Sequence, residues 1–266
     1  VRIVASIPID VEPCSLFFDR QAETLYLGDD RESRVLMWRE GGGLEVVAQL
    51  PKTDVPRRLG QIVRTIEGDL LVPVFGKRSP GAIFRVSRNG AHAIADLDAK
   101  RQRLGLAIAG DGTIYETYFV DADGFCTGAV AEVGGVGGEQ DLVAGLKEPA
   151  GIVALDDALF VADRARDRLV RIPRSHEAAI FTSFTAVPLP DAIALGPDGT
   201  LLVASRKNRI VIVGETGTTR DLVVGLHQPS GIAYDGDRRL YIADKSTDAP
   251  RIPHTLRIIE LQLGAA

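Results

Sequence analysis

The sequence predicts an all-β chain folded as a six-bladed β-propeller with four-stranded blades, its ring closed by the amino-terminal strand joining the last blade. Three observations carry this expectation. One strand motif recurs six times, at spacings of 39–46 residues. Alternation and β-branched enrichment dominate over helical periodicity throughout. The last repeat is one strand short, and a spare strand precedes the first.

The repeat is clearest in two ungapped copies. Asp141 to Ile152 reads DLVAGLKEPAGI, and Asp221 to Ile232 reads DLVVGLHQPSGI. Each is followed by a short apolar strand, a polar turn and a second strand, LFVAD (Leu159–Asp163) and LYIAD (Leu240–Asp244). Relaxed copies start at Pro13, Arg58, Arg103 and Pro190. Two residues after each Pro or Arg stand Ser15, Gly60, Gly105, Gly151, Ala192 and Gly231, successively 45, 45, 46, 41 and 39 residues apart. That period fits a propeller blade.

The blades follow in order. Residues 13–50 hold PCSLFFD, TLYLGD, VLMWRE and LEVVAQL; residues 57–97 hold RLGQIV, DLLVPV, AIFRVS and AHAIADL. Residues 102–144, 148–186 and 189–224 repeat the scheme. Residues 228–263 add only Thr255 to Leu263 after LYIAD, so Arg2 to Ile9 is expected to supply the missing strand. Such a closure removes exposed strand edges, which otherwise template aggregation. A single domain, residues 1–266, is expected.

Composition narrows the function classes. With 45% hydrophobic and 25% charged residues the chain can bury a core, and no apolar run approaches the roughly 20 residues that span a bilayer. A net charge of −5 argues against nucleic acid. Cys14 and Cys126 are too few for a disulfide framework and lack zinc-site spacing. A cytoplasmic protein is expected, or a secreted or periplasmic one if a signal was removed before Val1. The expected partner is a small molecule, with neither nucleic acid nor membrane involved.

The pattern P-x-G-I-A followed by L-Y-V-A-D resembles the NHL repeat and the SMP-30/gluconolactonase-like group, which includes the strictosidine synthase-like propellers. The resemblance covers nearly the whole chain and implies the fold, while one scaffold hosts many activities. It also implies a central calcium ion held by carboxylates and amides at the x of P-x-G. Here those positions are Cys14, Leu59, Leu104, Ala150, Asp191 and Ser230. Asp191 alone matches a ligand type well, and Glu12 lies two residues before Cys14. The cofactor expectation is therefore none, or Ca2+ on Asp191 and Glu12.

Residues just before each first strand should ring the channel mouth. Blades two and three bring Arg57, Arg58, Arg101 and Arg103, whereas blades one, four and five bring Glu12, Glu148 and Asp191. Arg58 and Arg103 replace the usual Pro at equivalent positions. Their guanidinium forks suit an anionic or partly apolar small molecule; structural ion pairs are the alternative. His227 is the histidine that the repeat brings to the rim, near Ser230. With Asp191 it would form an acid–base pair.

The second strands end at Asp29, Tyr118, Asp163, Ser205 and Asp244, whose three aspartates are expected to be structural acceptors of loop N–H groups. Two longer connections, Tyr118 to Thr127 and Asp244 to His254, should shape the pocket, placing Tyr118 and His254 among the substrate contacts with Arg58, Arg103, Glu12, Glu148 and Ser230. Asp121-Ala122-Asp123-Gly124 has only the opening of a calcium loop, and His92 and His176 fall in outer turns. No phosphate-binding loop or dinucleotide fingerprint is present. Two functions follow: a hydrolase, lactonase or metal-free lyase or condensation enzyme acting at the mouth, or a non-catalytic propeller presenting a face to a protein or ligand.

Overall fold

The computed structural model describes residues 1–55, 57–76, 79–122, 125–135, 138–174, 182–248 and 251–262. Six antiparallel sheets form the blades of a β-propeller. Their innermost strands begin at Pro13, Arg58, Gln102, Pro149, Pro190 and Pro229, and lie beside one another around a central channel. Arg2–Ile9 pairs antiparallel with His254–Glu260, from Arg2 opposite Glu260 to Ile9 opposite His254. The ring is thus closed by the chain's own start. The expected last strand ran to Leu263, which lies outside the described residues, as does His176. Among the described residues no helix is long and apolar enough to cross a membrane.

The motif's glycines have a packing reason. A Cβ on Gly60 would collide with the Leu104 carbonyl, and one on Gly105 with the Ala150 carbonyl. At Gly151 it would stand 2.5 Å from the Asp191 carbonyl, and at Gly231 2.8 Å from Ser15 and Leu16. Each glycine therefore lets one innermost strand touch the backbone of the next blade, including across the seam from blade six to blade one. Apolar side chains fill the wedges outside this ring. Leu25 and Leu27, Leu159 and Ile172, and Leu240 and Ile242 are fully buried, each contributing about 1.5–3 kcal/mol relative to exposure.

The x of the motif falls at a β-bulge in every blade but the second, where Leu59 pairs with Val74. Pro13 pairs with Asp29 and Ser15 with Gly28, leaving Cys14 unopposed. Leu104 is skipped between Arg103 and Gly105, and Ser230 between Pro229 and Gly231. A bulge re-aims its extra residue, here toward the channel.

The expected structural aspartates hold the blade tops. Asp29 accepts the Glu12 and Arg31 N–H groups at 3.0 and 3.1 Å and pairs with Arg34 at 2.8 Å. Asp163 accepts Lys147 N–H at 2.8 Å and pairs with Arg168 at 2.9 Å. Asp244 accepts the His227 and Gln228 N–H groups at 2.8 and 3.0 Å and pairs with Arg257 at 2.8 Å. All three are buried. One expectation is corrected: most of Tyr118 to Thr127 is no loop, because strands Ile114–Ala122 and Phe125–Gly135 continue as a long hairpin with Val120 opposite Thr127. Alternating β-formers (YETYFV) extend the ladder past the usual strand end. Asp123 and Gly124 lie outside the described residues.

Candidate functional site

The six equivalent positions, Cys14, Leu59, Leu104, Ala150, Asp191 and Ser230, line one cavity of about 100 Å³ at the channel mouth. A second tier of side chains comes from the residue immediately after each second strand. Asp30, Arg164, Arg206 and Lys245 line the cavity, and the same backbone bond fixes each of them. Their N–H groups donate to the carbonyls of Glu12, Glu148, Leu189 and Gln228 at 2.9, 3.2, 3.0 and 2.9 Å. Glu12, Glu148, Leu189 and Gln228 each precede the proline of a repeat, so the repeat itself aims these four side chains. The equivalent positions of blades two and three hold Gly76 and Phe119, leaving that side without a charge from this tier.

Among the described residues, four cations (Arg58, Arg164, Arg206 and Lys245) and two carboxylates (Asp30 and Asp191) line the cavity. Asp191 is clamped: Arg164 Nη1 donates to one oxygen at 2.8 Å and Arg206 Nε to the other at 2.7 Å. Arg164 is held from behind by Glu148 at 3.3 Å. Lys245 is paired with Glu12, and that hydrogen bond pulls the Glu12 carboxyl below its usual range. Asp30 accepts Leu59 N–H at 2.8 Å and faces Arg58 Nε at 3.3 Å. Burial nevertheless raises the Asp30 carboxyl above the ordinary aspartate range. Burial, with Asp30 close by, also pushes the Cys14 thiol well up. Cys14 therefore stays a neutral thiol at physiological pH and is no nucleophile.

Several expected site residues lie elsewhere. Arg103 does not reach the mouth. It is fully buried in blade three, with Nε 2.7 Å from Glu116 and Nη2 on Glu139. Carboxylates on its own blade capture it, and the Asp98 and Arg101 carbonyls accept two more of its donors. Tyr118 belongs to the same cluster, donating its hydroxyl to Asp141 at 2.8 Å while Arg101 stacks 4.0 Å from its ring centre. His254 is buried beneath the clasp, where its Nδ1 accepts Ser246 N–H at 2.9 Å.

The expected Asp191–His227 pair is not made. His227 Nδ1 lies 3.3 Å from Asp244, on its own blade, while two guanidiniums occupy both Asp191 oxygens. Ser230 does line the cavity, but its hydroxyl donates across the seam to the Pro13 carbonyl at 2.8 Å. Glu12 and Glu148 sit at the rim, positioning Lys245 and Arg164. Arg58 and Asp191 are the expected residues that the structure brings into the cavity with charges intact.

No family model matches this sequence, and no curated protein sequence matches it. Solved structures match strongly in shape. A gluconolactonase from Xanthomonas campestris superposes with a TM-score of 0.77 at 18% identity, covering 97% of this chain and 91% of that one. The calcium-binding protein regucalcin from Agrobacterium tumefaciens gives 0.73 at 14%, covering 97% and 93%. Virginiamycin B lyase from Staphylococcus aureus gives 0.68 at 14%, covering 97% and 99%. The chain thus shares the six-bladed propeller fold of gluconolactonase-like and streptogramin lyase-like enzymes, and at these identities the likeness is one of fold.

The residues present do not fit the calcium ion that the sequence resemblance implies. Calcium takes six to eight hard oxygens. Here both Asp191 oxygens are spent on arginines, Glu12 is spent on Lys245, and the ring positions Cys14, Leu59, Leu104 and Ala150 offer no side-chain oxygen. Among the described residues no cluster of three or more His, Cys, Asp or Glu side chains could hold a metal ion.

Proposed function

We propose that this propeller is a small-molecule enzyme whose channel mouth takes a compact anionic substrate, of the hydrolase/lactonase or metal-free lyase class. One observation carries the reading: four cations and two carboxylates line one cavity at the mouth, with Glu12 and Glu148 behind Lys245 and Arg164 at its rim. Each guanidinium offers five N–H donors, and Arg206 spends only its Nε on Asp191 in the described contacts. Arg58, half exposed and 3.3 Å from Asp30, adds a third fork. In a mouth walled by protein such charges act at a lower effective dielectric than in water.

In this scheme Arg164 and Arg206 hold the anionic group and Arg58 steadies negative charge developing on the reacting oxygen. Asp30 moves the proton, its carboxyl raised above the ordinary aspartate range by burial. For a lactone, Asp30 takes a proton from water as the water oxygen bonds to the acyl carbon. The ring C–O bond then breaks, and the departing alkoxide takes that proton back. Asp191, pinned by two arginines, is a positioning residue. The gluconolactonase and lyase likenesses support a propeller of enzyme type.

Calorimetric titration of two- to four-carbon carboxylates tests the binding half. Affinity should fall about 10- to 100-fold in Arg206→Ala, as loss of a charge-assisted contact worth about 1.5–3 kcal/mol requires. Undiminished binding in that variant would discard the site. A panel of lactones and esters tests the chemical half, with turnover expected in the wild type and lost in Asp30→Asn. The alternative, a non-catalytic ligand-binding propeller, is favoured by His227 being tied to Asp244 instead of Asp191. Binding without turnover would establish that alternative.

A further inference from the structure

One side chain reaches across the channel between non-adjacent blades. In five blades the residue after the motif's second position is apolar: Leu16, Leu106, Ile152, Ile193 and Ile232. All five are buried. Blade two has Gln61 instead. Its amide reaches past blade three to blade four, where Nε2 donates to the Ile152 carbonyl at 2.8 Å and Oε1 accepts Ile152 N–H at 3.0 Å. The Gln61 N–H is itself anchored on the Leu104 carbonyl at 2.8 Å.

The local cause lies in the neighbouring strand. Pro73 stands mid-strand in Leu70–Phe75 and has no N–H to give the ladder. The innermost strand breaks there into Arg58–Leu59 and Val63–Arg64, which frees Gly60 to Ile62 from regular pairing. Gly105 on blade three has no side chain to block the crossing.

Gln61 lines two cavities at once, as do Leu16, Ile193 and Ile232, but it alone of these is polar. Above it is the cationic mouth of about 100 Å³. Below it a chamber of about 440 Å³ opens at the opposite end of the channel, walled by residues such as Phe18, Ile108, Leu195 and Tyr234. The mouth has room for a group the size of a short carboxylate. The lower chamber holds several times more and is mostly apolar.

We propose that Gln61 is the length-limiting wall of the anion site, confining it to compact hydrophilic anions and barring amphiphilic ones from the apolar chamber below. This rests on the anion-binding reading of the mouth. Shortening the side chain would join the two spaces, so that an anion held by Arg164 and Arg206 could pass its tail downward.

The test is a titration of straight-chain carboxylates from two to ten carbons into wild type, Gln61→Ala and Gln61→Asn. Asparagine keeps the amide but is one methylene too short to make both bonds to Ile152, and so guards against a folding defect in the alanine variant. In wild type, affinity should stop rising beyond about four carbons. In the variants it should keep rising, about fourfold per added methylene at most. Parallel series in all three proteins, or a wild-type affinity still rising past six carbons, would overturn the wall while leaving the anion site standing. No binding of any carboxylate by any of the three would overturn both.

Discussion

Arg58 and Arg103 occupy the same position of the same repeat, in adjacent blades, and have opposite fates. Arg58 pairs with Phe75 across its ladder and is half exposed at the mouth, with Asp30 as its carboxylate partner. Arg103 pairs with Tyr118 and is fully buried, because blade three places Glu116 and Glu139 behind it. The repeat determines where a Cα sits. The nearest uncompensated charge decides where a long side chain goes. A repeat position is therefore a list of candidates, and partner chemistry selects among them.

The comparison can be broken most forcefully at Arg103. Arg103→Ala leaves Glu116 buried and short of its closest cation, and should cost about 3–5 kcal/mol in denaturant unfolding. A loss below about 1 kcal/mol would mean that the blade-three cluster is not the tight structure described here.

The pH dependence of stability sharpens the same point. Burial, together with the Glu139 charge, pushes the Glu116 carboxyl up to about 7 against the pull of Arg103. The folded chain then holds a proton that the unfolded chain has released, so this group's contribution to stability falls as pH rises from about 4.5 to about 7. Unfolding midpoints measured across that window should lose this slope in Glu116→Gln. An identical slope in wild type and variant would assign the dependence to other groups.

Gly105→Ala tests the close contact between blades. With its Cβ driven into the Ala150 carbonyl, it should cost about 1–3 kcal/mol. A neutral substitution would show that neighbouring strands can part without penalty. The smallest expected effect is Arg58→Ala, about 1 kcal/mol in stability, because its guanidinium is half in solvent and Asp30 keeps the Leu59 N–H, even though it removes a cation from the mouth. A stability loss matching that of Arg103→Ala would erase the distinction between the two arginines.

Fold and site were legible to different degrees. The six-fold motif, the missing last strand and the spare first strand dictated the ring and its closure, because backbone periodicity is written in residue spacing. The six channel positions were legible for the same reason. The second tier lies one residue beyond the strand ends singled out from the sequence: Asp29, Asp163, Ser205 and Asp244 are buried, while Asp30, Arg164, Arg206 and Lys245 line the mouth. The signal was a charged residue after the second strand in four of six repeats. The one Gln among five Leu or Ile equivalents was a second such signal. The wrong assignments of Arg103, Tyr118 and His254, and the supposed Asp191–His227 pairing, share a cause. Each assumed a side-chain direction that depends on partners distant in sequence, such as Glu139 for Arg103 and Arg164 with Arg206 for Asp191.

The central claim is that the cationic mouth holds an anion, and the most direct measurement is an anomalous-difference map from crystals grown with selenate. A selenium peak about 3.5–4 Å from the Arg164 or Arg206 nitrogens, which puts selenate oxygens at hydrogen-bond distance, is the predicted result. Peaks confined to outer-strand arginines, with the mouth empty at saturating selenate, would contradict it.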